Sequence, residues 1–269
     1  MPATRTFDTP GPVDLEIRNP AGTIEVTAAD TATSTVAVTP LDPAAADAAE
    51  RVRVELSGDG RRLTVAAPER RIVFGRGARL GIAVTVPADS RLTTRAASAE
   101  LTSHGRLAAV EVHTASGDAA LDQVTGRTEV HSASGRVRVG TAGGLVVQTA
   151  SGAVRVEHAV GDVDVHSASG RVDVGRADAS VRVHTASGDV TVDEAAQGTV
   201  ELTAASGDLR VGVRSGVVAK LDLNTVSGRV RSDLPVDQTP PEGGPTLEIR
   251  SRTMSGSVLI APAAAGARS

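Results

Sequence analysis

Four of the six histidines in this 269-residue chain occupy one position of a repeating pattern. His113, His131, His166 and His184 each stand four residues before a glycine that follows a serine. Gln148 holds the same position between the two pairs, and Thr203 and Asn224 continue it. Two positions earlier stand Glu111, Glu129, Asp164, Glu201 and Asp222. Imidazoles beside carboxylates are a donor set for Zn²⁺ or another divalent ion, which makes the four histidines the candidate metal ligands. The plainer reading is a solvent-facing polar ladder multiplied with the repeat. Duplication alone makes such columns, so no cofactor is expected.

Nothing else converges on a reaction. Ser-Gly recurs with its glycine at 117, 135, 152, 170, 188, 207, 228 and 256. None of these serines sits in G-x-S-x-G or has a lysine three residues on, so the repetition points to a corner rather than a nucleophile. The segment Gly75-Arg76-Gly77-Ala78-Arg79-Leu80-Gly81 approaches a dinucleotide-binding loop, but Leu80 stands where the third glycine belongs. A strand rather than a helix follows it. No phosphate-loop lysine, HExxH or calcium-type GGxGxD occurs.

Composition narrows the field further. With no cysteine, thiol catalysis, disulfides and cysteine-held metals are excluded. Phe7 and Phe74 are the only aromatics, which argues against sugar-stacking grooves and base-stacking platforms. A net charge of −4 exerts no pull on phosphate backbones. No apolar run approaches the roughly 18 residues of a membrane span. The opening MPATRTFDTPGPVDLEI has no apolar signal core, so a cytoplasmic location is expected. Neither a small-molecule substrate nor an enzymatic activity is expected.

The elements that carry these residues follow from the glycine spacing. Successive corners lie 18, 17, 18, 18, 19, 21 and 28 residues apart, with Gly126, Gly144, Gly161, Gly198 and Gly216 near the half-period. Between corners apolar residues alternate with polar ones, as in Val163-Asp164-Val165-His166 and Arg171-Val172-Asp173-Val174. A period of 2 is a strand, not a helix. Two residues after each glycine stand Ala119, Val137, Val154, Val172, Val190, Leu209, Val230 and Val258. Five before it stand Val112, Val130, Val147, Val165, Val183, Leu202 and Leu223, with Ser251 breaking the column.

Such columns imply coils of about 18 residues whose equivalent residues stack about 4.8 Å apart. The expected fold is all-β: a single-stranded β-solenoid, or β-helix, with two facing parallel sheets. It would be right-handed by the rule for parallel crossovers, and nine rows would span about 45 Å.

Residues 1–95 are less regular and read as an N-terminal capping β region, with a short Ala-rich helix over 42–50 and a hairpin over 51–65. Residues 96–260 read as the solenoid repeats, with a loop at 235–245 before the last row, and 261–269 as a disordered tail. One sheet is expected to carry an acidic face with histidines. The other carries a mixed face through Arg136, Arg138, Arg155, Arg171, Asp173, Asp189, Asp208, Arg210, Arg229 and Arg231.

The opening segment VDLEIRNPAGTIEV, followed by serial TASGDV and SASGRV units, resembles a bacterial family known as "putative adhesin", a β-strand-repeat domain of unknown function. The resemblance spans nearly the whole chain. It implies a β-solenoid without established enzymatic activity; some relatives are tied to membranes and to cell-envelope stress modules. The family supplies no catalytic residues. The expected function is thus a non-enzymatic interaction or scaffold protein that offers a rigid repetitive surface to a protein partner. Self-assembly into a cytoskeletal-type β-helix polymer is the alternative.

Overall fold

The computed structural model describes residues 3–68, 78–234 and 245–264, and these are almost entirely β-strand, with one short α-helix among them. Two compact units divide the chain, Met1–Arg138 and Val139–Ser269. The glycine-rich segment at 75–81, the loop at 235–245 and the tail at 261–269 lie partly outside the described residues. Strand pairing includes Ala261 and Pro262 in the final strand.

The first unit contains β1 (Ala3–Asp8), β2 (Asp14–Ala29), β3 (Thr33–Pro40), α1 (Ala46–Glu50), β4 (Arg53–Leu56), β5 (Arg62–Ala66), β6 (Leu80–Pro87), β7 (Arg91–Leu107), β8 (Ala109–Thr114) and β9 (Ala119–Ser134). β2 and β7 each pass through a corner and so serve two stacks. The leading half of β2 pairs in parallel with β5 and β7, and its trailing half with β6 and β7. Asn19 makes the corner possible. It is buried, and its Nδ2 donates to the carbonyls of Leu80 (3.0 Å) and Thr23 (3.3 Å). Antiparallel strands finish the outer rows: β4 on β5, and β3 on β6 with β1 beyond it.

The second unit is more regular. Its strands are β10 (Val137–Ser151), β11 (Val154–Ala159), β12 (Val163–Ser169), β13 (Val172–Ala177), β14 (Val181–Ser187), β15 (Val190–Ala195), β16 (Gly198–Ser206), β17 (Leu209–Val213), β18 (Val218–Ser227), β19 (Val230–Ser232), β20 (Thr246–Ser255) and β21 (Val258–Pro262). Even-numbered strands form one parallel stack and odd-numbered strands another. Val163 pairs with Val181, and Val181 with Val200; Val154 pairs with Val172, and Val172 with Val190. All six valines are buried. Small aliphatic side chains in register fill such an interior without aromatics.

Two constraints hold the corner glycine at 170. Gly170 has φ +128°, and a Cβ there would collide with the carbonyl oxygen of Gly152 in the row below. The corners also continue the strand ladder: the Gly170 N–H donates to Ser187 O (3.0 Å) and the Gly188 N–H to Ser206 O (2.9 Å).

Row order departs from chain order at the C-terminal end. A serial stack would set β18 and β19 on β16 and β17. Instead β20 and β21 pair with β16 and β17, and β18 and β19 pair on the far side of β20 and β21. The last row in sequence is therefore an inner one. The inner position rewards the row that brings Leu247, Ile249, Val258 and Ile260, all buried. The outer position takes a row with a three-residue second strand, an inward Ser232 and a charged outward side. Short charged strands tolerate a sheet edge.

Candidate functional site

The outward faces of these rows carry the candidate chemistry. In the first unit the column Arg18, Arg95, His113, His131 runs beside Glu16, Thr93, Glu111, Glu129. Strand alternation aims both columns away from the aliphatic core, as the period-2 reading requires. An ionised carboxylate can only accept, so the Nε2–H of His113 donates to Glu111 Oε1 (2.7 Å) and that of His131 to Glu129 Oε1 (2.8 Å). The two rings stack at 4.9 Å between centroids and 4° between planes. Hydrogen bonding from His131, opposed by desolvation and joined by Arg127, holds the Glu129 carboxyl below its ordinary value.

In the second unit His166 stacks on His184 at 5.2 Å, and His166 Nε2 lies 3.1 Å from Asp164 Oδ1. Each stacked pair has near-parallel rings. Their nitrogen lone pairs therefore point side by side rather than at a shared point, and two imidazoles coordinating one ion need convergence. Among the described residues no three His, Asp or Glu side chains cluster at ligand spacing.

The acidic column reads differently in space. In register it runs Val146, Asp164, Arg182, Glu201, Arg250, Asp222. Arg182 reaches Glu201 (3.4 Å) and Asp164 (3.8 Å), so the expected acidic face is an alternating ladder in this unit. Carboxylates one row apart would repel, and an interleaved guanidinium removes that repulsion. The altered row order also places Arg252 between Thr203 and Asn224, interrupting the polar continuation of the histidine column.

The opposite stack presents Arg155, Asp173, Thr191, Arg210, Leu259 and Arg231 in register. Burial pushes the Asp173 carboxyl up, with Arg171 and Arg155 pulling the other way. Asp189 accepts from Arg171 (3.2 Å). It also takes the backbone N–H of Asp208 (3.1 Å), and Asp208 in turn takes that of Ser257 (2.7 Å). In the first unit Asp118 takes the N–H of Arg136 (2.7 Å) in the same way. The aspartate of a Ser-Gly-Asp corner is thus a clasp on the next row rather than only a surface charge. The SGD triplets at 116–118, 187–189 and 206–208 are its signal in the sequence.

These stacked rows and glycine corners match the model of one family across residues 13–253, described as Toastrack DUF4097. The chain belongs to that family. The solved structures similar to this Toastrack chain include three bacterial proteins. One is a putative adhesin from Bacteroides fragilis, 15% identical, with TM-score 0.48 and 97% of each chain covered. Another is a putative adhesin from Parabacteroides distasonis, 12% identical, with TM-score 0.41, covering 96% of this chain and 97% of that one. A putative lipid binding protein from the same species is 13% identical, with TM-score 0.36 and 96% of each chain covered. No curated protein matches.

The half-period corners of this Toastrack chain hold a cluster that the repeat pattern hides. Asp178 accepts from His158 Nε2 (2.7 Å), Arg176 Nε (3.0 Å) and Arg214 Nη2 (2.9 Å), and Arg214 Nε also reaches Glu194 (2.5 Å). Partial burial pushes the Asp178 carboxyl up, but the three donors outweigh it and hold it at about 2. His158 comes from the row before the one that carries Asp178, and Arg214 from two rows after it. Their meeting has no local sequence signature.

Proposed function

We propose that this Toastrack chain is a non-enzymatic β-solenoid scaffold that presents a rigid, repetitively charged surface to a protein partner, with envelope-stress signalling as the setting that the family resemblance implies. The observation that carries the reading is the strict register of outward columns over a buried aliphatic interior: Asp164, Arg182 and Glu201 in one line, Gln148, His166 and His184 in the next. A regular lattice of fixed charge suits recognition of an extended complementary surface, because little side-chain freedom remains to be lost on binding. On this reading the coils are right-handed and about 18 residues long, and residues 1–95 act as the cap that covers the first coil's edge.

A photo-crosslinking residue at position 184, in the cells that make the protein, tests the reading. A discrete protein adduct is expected. The triple change His166→Ala, Arg182→Ala and Asp164→Ala should abolish its capture by a pull-down while leaving the melting curve in place. Capture that survives the triple change, with the same partner, would remove this face from the interaction.

A further inference from the structure

We infer that the row formed by β18 and β19 is a self-pairing edge through which two copies of this chain join into a closed dimer. Among the described residues this row has strand neighbours on one side only, β20 and β21. Its outer N–H and C=O groups therefore await a strand. The row is also under-buried for its composition. Val230 is 46% exposed although it holds the repeat position at which Val172 and Val190 are 0% exposed, and Leu221 and Leu223 are half-buried.

The neighbouring corner differs in the same direction. Two residues before the corner glycine stand Ala150, Ala168, Ala186 and Ala205 in the inner rows, but Met254 and Val226 in the last two. These two are 64% and 79% exposed. The pairings Thr225 with Thr253 and Ser227 with Ser255 set them side by side. The large exposed apolar corner residues thus lie together in the last two rows of the stack.

Charge selects the occupant. On the outward side of β18, Lys220 and Asp222 flank the inward Leu221. A two-fold axis through Leu221 runs the strand antiparallel to its own copy and sets Lys220 opposite Asp222 twice. Opposite charges directly across an antiparallel pair favour that register, and like charges would oppose it. Among the described residues their charged partners are distant, Glu248 at 3.7 Å from Lys220 and Arg252 at 3.6 Å from Asp222, so both groups are available to pair outward. The same register sets Leu221 against its own copy and Leu223 against Ala219 of the copy. An isologous contact uses up the edge on both chains, so assembly stops at two rather than running on into a filament.

Sedimentation velocity on the full chain over a wide concentration range tests the inference. Wild type should sediment as a monomer–dimer equilibrium with nothing larger. Lys220→Asp leaves two acidic groups and Asp222→Lys two basic groups at the contact, so each variant alone should weaken dimerisation at least tenfold. Mixed in equal amounts, the two variants should dimerise again, because each acidic edge then faces a basic one. That arm requires both variants to be folded, so it separates lost pairing from lost structure. A wild type that stays monomeric at every concentration, species that grow beyond two chains, single variants that dimerise like wild type, or a mixture that stays monomeric would each overturn it.

Discussion

Within the second unit the row of β14 and β15 and the row of β18 and β19 are written in the same motif, TASGDV in one and TVSGRV in the other. Both turn at a Ser-Gly corner and both place valine two residues later. Yet Val190 is sealed and Val230 lies at an edge, because among the described residues one row has neighbours on both sides and the other on one. The contribution of a repeat residue is thus set by where its row sits in the stack. Burial of a shared column, not the motif, carries the stability.

The sharpest break in this comparison is a buried charge. Val190→Asp should destabilise the protein by roughly 4 kcal/mol or more, since an unpaired carboxylate in an aliphatic column either stays charged or binds a proton at a cost. Val230→Asp should cost less than about 1 kcal/mol, because the group reaches water. Urea melts of the two variants check this, and equal costs would erase the distinction between inner and edge rows.

A corner substitution comes next. Gly170→Ala combines left-handed backbone with a collision against the Gly152 carbonyl and should cost about 2–3 kcal/mol. Gly216→Ala shares the left-handed backbone, φ +81°, but meets open space, so about 1 kcal/mol is expected. Thermal melts that rank the two in reverse would show that row-to-row contact at the corner is not the constraint.

Acid probes the half-period corner. The Asp178 carboxyl is depressed to about 2 by its three donors. Its contribution is fully present above the ordinary aspartate value near 4 and is lost as pH falls through about 2. At neutral pH Asp178→Asn should lower stability by on the order of 1 kcal/mol, and the gap to wild type should close between pH 4 and pH 2. Chemical denaturation at pH 6, 4 and 2.5 reads this directly; a gap that stays constant would mean that packing, not charge, holds Asp178.

The smallest effect is expected at the histidines. Changing both His166 and His184 to Ala should move the denaturation midpoint by less than about 0.5 kcal/mol, because both rings lie on the outward face. A collapse of the fold in this double variant would place them in the core.

Much of this architecture is legible in the order of the residues. Val165, Val172 and Val190 announce themselves as core by alternation, and the glycines at 170 and 188 as corners by recurrence, because a solenoid forces equivalent residues into equivalent environments. The outward placement of His113 and His131 follows from the same count. The Asp189 clasp is harder to see, since an exposed aspartate after a glycine serves equally well as a surface charge. Arg182 stands in plain sight one coil from Asp164 and Glu201, but only the strand register makes it a bridge between them.

The amino-acid sequence by itself determined which residues face in and which face out, because a two-residue period permits only one assignment per strand once the apolar side is chosen. It also determined that equivalent residues stack, because each coil is too thin to bury its own valines alone. The tertiary structure decided the order of the last rows. Both C-terminal rows satisfy the same local pattern, and only the summed burial of Ile249, Val258 and Ile260 against their neighbours selects the one that lies inside. It likewise brought His158, Asp178 and Arg214 together, since groups two rows apart meet only when the stack is built.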